Sequence, residues 1–150
     1  TGLGKMERSR ALGLRELIDR NPSTKFDLFH GSYPWTDDIL GLAHKYRNVY
    51  VDMCWLPLIS TKRAEDFLEE ALEVVDARRV IWGCDTWTAE ESYGAVMAMK
   101  AVLYRVFEKK LSQGYFDMEC AKRLARNILS ANANEIFRFD RVDSESSCHF

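Results

Sequence analysis

Val80-Ile81-Trp82-Gly83-Cys84-Asp85 is a short apolar run that stops at a glycine and ends on a carboxylate. Its β-branched and aromatic residues favour a strand, beginning at Arg79. Thr88 and Glu91 have capping-box spacing, so a helix is expected just beyond it, reaching about Lys110. The same strand-then-helix unit recurs upstream. Val49-Tyr50-Val51 predicts a strand continuing towards Cys54, followed by a loop, Trp55 to Ser60, that contains Pro57. Ser60 or Thr61 caps a helix over 62–75, where Ala64, Phe67, Leu68, Ala71, Leu72 and Val75 repeat at helical spacing. Further back, Phe26 to Phe29 predicts a strand running into His30-Gly31, and Thr36 is the expected cap of a helix over 37–46. Ala11 to Asp19 reads as a first helix with a partial apolar stripe of Leu12, Leu14, Leu17 and Ile18. Downstream, Gly114 is a break, Asp117 caps a helix to about Leu129, and 132–137 is a short terminal helix. Strand and helix in alternation mark a parallel α/β fold. Three strands are few for an independent parallel sheet, because a partial barrel leaves edges unpaired.

Composition bounds the function. The 150 residues are 47% hydrophobic and 29% charged, with a net charge of -2. There is no basic field to attract nucleic acid. No apolar run approaches the roughly 20 residues that span a bilayer, so no membrane partner is expected. The N-terminus lacks a secretory signal pattern. Cys54, Cys84, Cys120 and Cys148 are scattered, with no metal-finger or redox spacing, and read as buried or incidental thiols of a reducing, cytoplasmic compartment rather than a disulfide framework. The chain opens on Thr1-Gly2-Leu3-Gly4 without an initiator methionine, as expected if something was removed or if it is an excerpt of a longer protein.

Two strands end in residues with site chemistry, His30 and Asp85. Parallel α/β folds place active sites at the C-terminal ends of strands. An imidazole and a carboxylate suit zinc and related divalent ions, and a carboxylate beside an activated water can take its proton. Each residue also has a plain structural reading: the histidine as a hydrogen-bonded strand end, the aspartate as a cap. Trp35, Trp55 and Trp87 follow the same strand ends, as does Tyr33. These rings either stack on a substrate or pack the top of the fold. Glu90 and Glu91 suit the first turn of a helix. Asp52 either points inward on its strand or accepts from loop backbone. His44 is read as a surface residue, and His149 lies in the tail.

Val80-Ile81-Trp82-Gly83-Cys84-Asp85-Thr86 resembles the last barrel strand of the amidohydrolase superfamily, which carries a metal-binding, proton-shuttling aspartate. Phe26-Asp27-Leu28-Phe29-His30-Gly31 is similar to the sixth strand, whose terminal histidine binds a metal or polarises substrate. Asn48-Val49-Tyr50-Val51-Asp52 resembles the seventh strand, and Asn132-Ala133-Asn134-Glu135-Ile136-Phe137 the segment closing these domains. The resemblance implies an α/β fold, a partial TIM (β/α)8 barrel of about strands six to eight with their helices, over 1–138, with a disordered tail over 139–150. It implies a metal-dependent hydrolase acting on an amide, ester or lactone of small size, or a decarboxylase of the same subgroup. Asp85 and His30 would be catalytic and metal-binding, Trp35, Trp55 and Trp87 substrate-binding, and the ion divalent, with zinc expected. The family's His-x-His pair and the histidine closing its fifth strand have no counterpart here. A homo-oligomer or the missing N-terminal half of a barrel would then complete the site, and the chain as a fragment is expected to be inactive alone. Two rivals remain: a truncated barrel acting as a non-catalytic binding or assembly module, and a self-contained flavodoxin-like domain, for which Gly31-Ser32 is a weak phosphate site.

Overall fold

A computed structural model describes residues 5–139. Three strands, β1 (Phe26–Leu28), β2 (Val49–Asp52) and β3 (Val80–Ile81), form one parallel sheet in that order. Phe26 pairs with Val49, Leu28 with Val51, and Val51 with Val80. Alternation along each strand therefore gathers Phe26, Leu28, Val49, Val51 and Val80 on one face. That face packs against helices α2 (Thr36–Lys45), α4 (Thr61–Val74) and α5 (Ala89–Ser112). The same alternation places Asp27, Tyr50, Asp52 and Ile81 on the opposite face. One face is thus apolar and covered by helices, while the other carries two carboxylates and a tyrosine.

The crossover helices form for local reasons. Ser60 caps α4 by accepting from the Arg63 N–H at 3.2 Å, and Thr88 caps α5 by accepting from the Glu91 N–H at 3.1 Å. The Glu91 carboxylate in turn accepts from the Trp87 N–H at 2.9 Å, closing a reciprocal cap. Ala64, Phe67, Leu68 and Ala71 of α4, and Met99, Val102 and Val106 of α5, supply the buried stripes. The two helices are also joined by Arg105 to Glu65, Lys109 to Glu69 and Lys110 to Glu73. Exposed pairs of this kind contribute little. Lys110 differs, because it is 1% exposed and its ammonium also lies 4.5 Å from the Tyr115 ring centroid.

Two side chains lock the lower edge of the sheet. The Arg79 guanidinium donates to the carbonyls of Ala43, Tyr46 and Val49, tying the end of α2 and the start of β2 to β3. Asn132 is buried and donates to the carbonyls of Ala77 and Val80, both at 2.7 Å. The asparagine that begins the closing segment is therefore a clasp on the last strand.

Several expectations need correcting. The first helix is split: 3-10 turns occupy Met6–Ser9 and Ala11–Leu14, and only α1 (Arg15–Arg20) is α-helical. Leu12, Leu14 and Leu17 are exposed there, and Ala11 and Ile18 alone are buried, because no neighbouring strand covers the stripe. The loop after β2 contains a one-turn helix, α3 (Leu56–Ile59), with Pro57 in its first turn, where a missing N–H costs nothing. Thr36 is the first helical residue rather than a cap. Arg79 lies in a 3-10 turn, so β3 is shorter than predicted. The last two helices, α6 (Met118–Arg126) and α7 (Asn132–Phe137), run together through a π-helical turn at Asn127–Ala131. The predicted disordered tail from Asp140, with Cys148 and His149, lies outside the described residues. No helix among those described is long and apolar enough to cross a membrane.

Candidate metal centre

The three strand ends share one backbone feature. His30, Trp55 and Asp85 each adopt a left-handed conformation, with φ of 62°, 61° and 50°. Such values are uncommon outside glycine, although His and Asp tolerate them better than a bulky Trp. Gly31 and Ser32 continue the left-handed turn after β1. A Cβ on Gly31 would lie 2.7 Å from the Leu56 side chain, so this position is closed to larger residues by both φ and space. The turn is therefore tightly specified, and it aims His30 back over the sheet.

His30 and Asp85, singled out from the sequence, meet. Nε2 of His30 lies 3.9 Å from Oδ2 of Asp85, and both side chains remain open to solvent, at 39% and 56% exposed. On its other side, Nδ1 of His30 lies 3.4 Å from the Cys54 carbonyl oxygen and 3.5 Å from the Cys54 sulfur. The Trp55 indole packs on the imidazole at 5.6 Å between centroids, and Phe29 meets it edge-on at 6.0 Å. The imidazole is thus clamped by two rings and by the end of β2.

Cys54 is the residue that sequence reasoning set aside. It is buried, and among the described residues His30, Cys54 and Asp85 offer three donor atoms within 4.8 Å of one another. The available signal was positional: Cys54 follows β2 on the edge where His30 follows β1 and Asp85 follows β3. Without an ion, burial above all, and then the charge of Asp52, pushes its thiol up to about 12.

Behind this set lies a buried carboxylate layer. The Cys54 N–H donates to Asp52 Oδ1 at 2.7 Å, which realises the loop-bracing reading of Asp52. Burial raises its carboxyl above the ordinary range, against the opposing pull of the Cys54 and Gly83 N–H groups. Asp27 has no such support. Both its oxygens are shielded from water and have no hydrogen-bond partner among the described residues. Burial first, and Asp52 second, raise its carboxyl from 3.8 to about 7. The folded chain therefore holds the Asp27 proton more tightly than the unfolded chain does. This contribution to stability is fully present below about pH 4 and is lost as pH rises through about 7. Asp27→Asn is expected to flatten that slope. Melting temperatures of both proteins between pH 4 and 8 check it, and parallel curves would contradict it.

The three tryptophans occupy different settings. Trp55 contacts His30. Trp87 is 93% exposed beside Asp85 in sequence. Trp35 is partly buried beneath the Arg10 guanidinium, 4.9 Å from its ring centroid, and Arg10 is held by a two-point bond to Asp38. Tyr33 joins His30, Phe29 and Asp27 in lining an open cleft of about 580 Å³ along the free edge of β1, with Arg8 to Leu14 opposite. His44 is exposed, as read, and its Nδ1 lies 2.9 Å from the Val74 carbonyl.

The donor set fits a divalent ion: imidazole, carboxylate and thiol are the ligand types zinc uses. Comparison with known proteins gives the family. A family model described as amidohydrolase matches residues 5–139. Protein fluG of Emericella nidulans is 32% identical over 146 residues, covering 93% of this chain. The chain spans only 17% of that relative. A solved structure described as a metal-dependent hydrolase from Lactobacillus casei superposes with a TM-score of 0.75 at 23% identity. That match covers 88% of this chain and 35% of the solved one, and it speaks to fold alone.

Proposed function

The chain belongs to the amidohydrolase family, and on that premise we propose that it supplies strands six to eight of a (β/α)8 barrel and one side of the centre of a metal-dependent hydrolase. The observation that supports this reading is the convergence of His30 and Asp85, from β1 and β3, at the C-terminal edge of a parallel sheet. A small amide, ester or lactone is the proposed substrate class, with zinc as the ion.

His30 and Asp85 would hold the ion. When bound, it supplies Lewis-acid polarisation of the substrate oxygen and a more acidic water. The chain's own residues then have separable tasks. Asp85, the more exposed of the pair, accepts the proton of the attacking water at a carboxylate oxygen and passes it to the leaving group. His30 is kept in one orientation by Trp55, Phe29 and the Cys54 carbonyl, so its Nε2 stays turned towards Asp85. Trp55 and Trp87 are proposed to stack on substrate, whereas Trp35 would act by holding Arg10 and Asp38. Ligands on strands outside this chain would complete the centre, either from the remainder of a barrel or from another copy. A cytoplasmic setting keeps the thiols reduced.

Metal removal tests the reading. The protein that carries this chain together with the strands completing the centre is expected to contain stoichiometric zinc, to lose turnover of ester or lactone substrates on dialysis against a chelator, and to regain it when zinc is returned. Full turnover after complete stripping would overturn the proposal.

A further inference from the structure

We propose that Cys54 is a third ligand, its thiolate joining the His30 imidazole and the Asp85 carboxylate on one ion. This rests on the metal-dependent reading above and goes beyond it, because that reading needs only His30 and Asp85. Three observations carry it. The donors come from three consecutive strand ends, so the parallel register itself brings them together. With one donor atom taken from each residue, the three lie within 4.8 Å of one another. Neighbouring donors around a tetrahedral zinc lie about 3.4–3.7 Å apart, so the side chains would close in by roughly 1 Å on an ion. Finally, the set is asymmetric: Cys54 is 3% exposed, whereas Asp85 faces solvent. An ion seated there would be backed by sulfur on the protein side, leaving the solvent side to the completing ligands and to substrate.

Binding exchanges one partner for another. The S–H bond breaks, its proton leaves to solvent, and the sulfur lone pair forms the bond to the ion. A dication at bonding distance deprotonates a coordinating thiol outright, so the burial of Cys54 is no obstacle. The apolar surroundings that oppose an isolated thiolate favour one neutralised by a cation. Sulfur with imidazole also sets selectivity. Zinc and cobalt are expected to bind, and magnesium, which demands oxygen ligands, is expected not to displace them even in large excess.

Cobalt(II) titration of the metal-stripped protein tests this. The expected result is visible ligand-field bands together with a near-ultraviolet sulfur-to-cobalt charge-transfer band. Cys54→Ser should lose the charge-transfer band and retain weaker ligand-field absorption, while Cys84→Ser keeps both. Zinc-edge X-ray absorption of the wild-type protein gives an answer that does not depend on any variant folding: one sulfur at about 2.3 Å. Ligand-field bands without charge transfer, or a zinc shell without sulfur, overturn Cys54 as a ligand, reduce it to a residue that orients His30, and leave the metal-dependent reading standing. No cobalt or zinc bound at all overturns both.

Discussion

Asp85→Asn, in the protein that carries this chain, is expected to lower turnover by roughly 10³-fold or more while leaving its melting temperature almost unchanged. The substitution is nearly isosteric, and Asn is among the few residues that adopt a left-handed conformation readily, so the φ of 50° at this position is kept. The side chain is 56% exposed, and no buried partner is orphaned by the change. What disappears is the negative charge that holds a cation and the basic oxygen that accepts a proton from water. Stability should move by no more than about 0.5 kcal/mol, as for other exposed positions. Thermal melts beside steady-state kinetics separate the two effects. Near-normal turnover in a folded variant would remove Asp85 from the mechanism.

The second large effect is expected at His30. His30→Asn also preserves the left-handed backbone, here at a φ of 62°, but withdraws the imidazole from the centre of the donor set. Zinc affinity, measured by competition with a chromophoric chelator, should fall by well over the roughly 10–100-fold typical of losing an outer-shell partner. Loss of the ring also unpacks Trp55 and Phe29, so a modest fall in stability is expected alongside. Unchanged affinity would return His30 to the role of a strand-end packing residue.

Much of this was legible in the sequence because it is local. The stripe of Ala64, Phe67, Leu68 and Ala71 declares α4, and Thr88 with Glu91 declares the start of α5, whatever surrounds them. The meeting of His30 with Asp85 follows from reading β1 and β3 as parallel strands. What escaped depends on tertiary neighbours. Leu12, Leu14 and Leu17 have the spacing of a buried helix face, but no described residue covers them. The unpaired oxygens of Asp27 become costly only when Asp52 and the sheet enclose them. Cys54 had no spacing motif, since its companions are 24 and 31 residues away, and only the strand register makes them neighbours.

The left-handed backbone at all three strand ends has an evolutionary consequence. His30, Trp55 and Asp85 sit where glycine would relieve backbone strain, so replacement by glycine at any of them trades that strain against the ring or carboxylate that the proposed site uses. Selection for robustness and selection for chemistry thus pull in opposite directions at the same three positions. In a lineage that gave up catalysis and kept only the scaffold, these strand ends should be among the first to drift to Gly or Asn. Their identity in a newly found relative is therefore a quick indicator of whether that relative keeps the proposed centre.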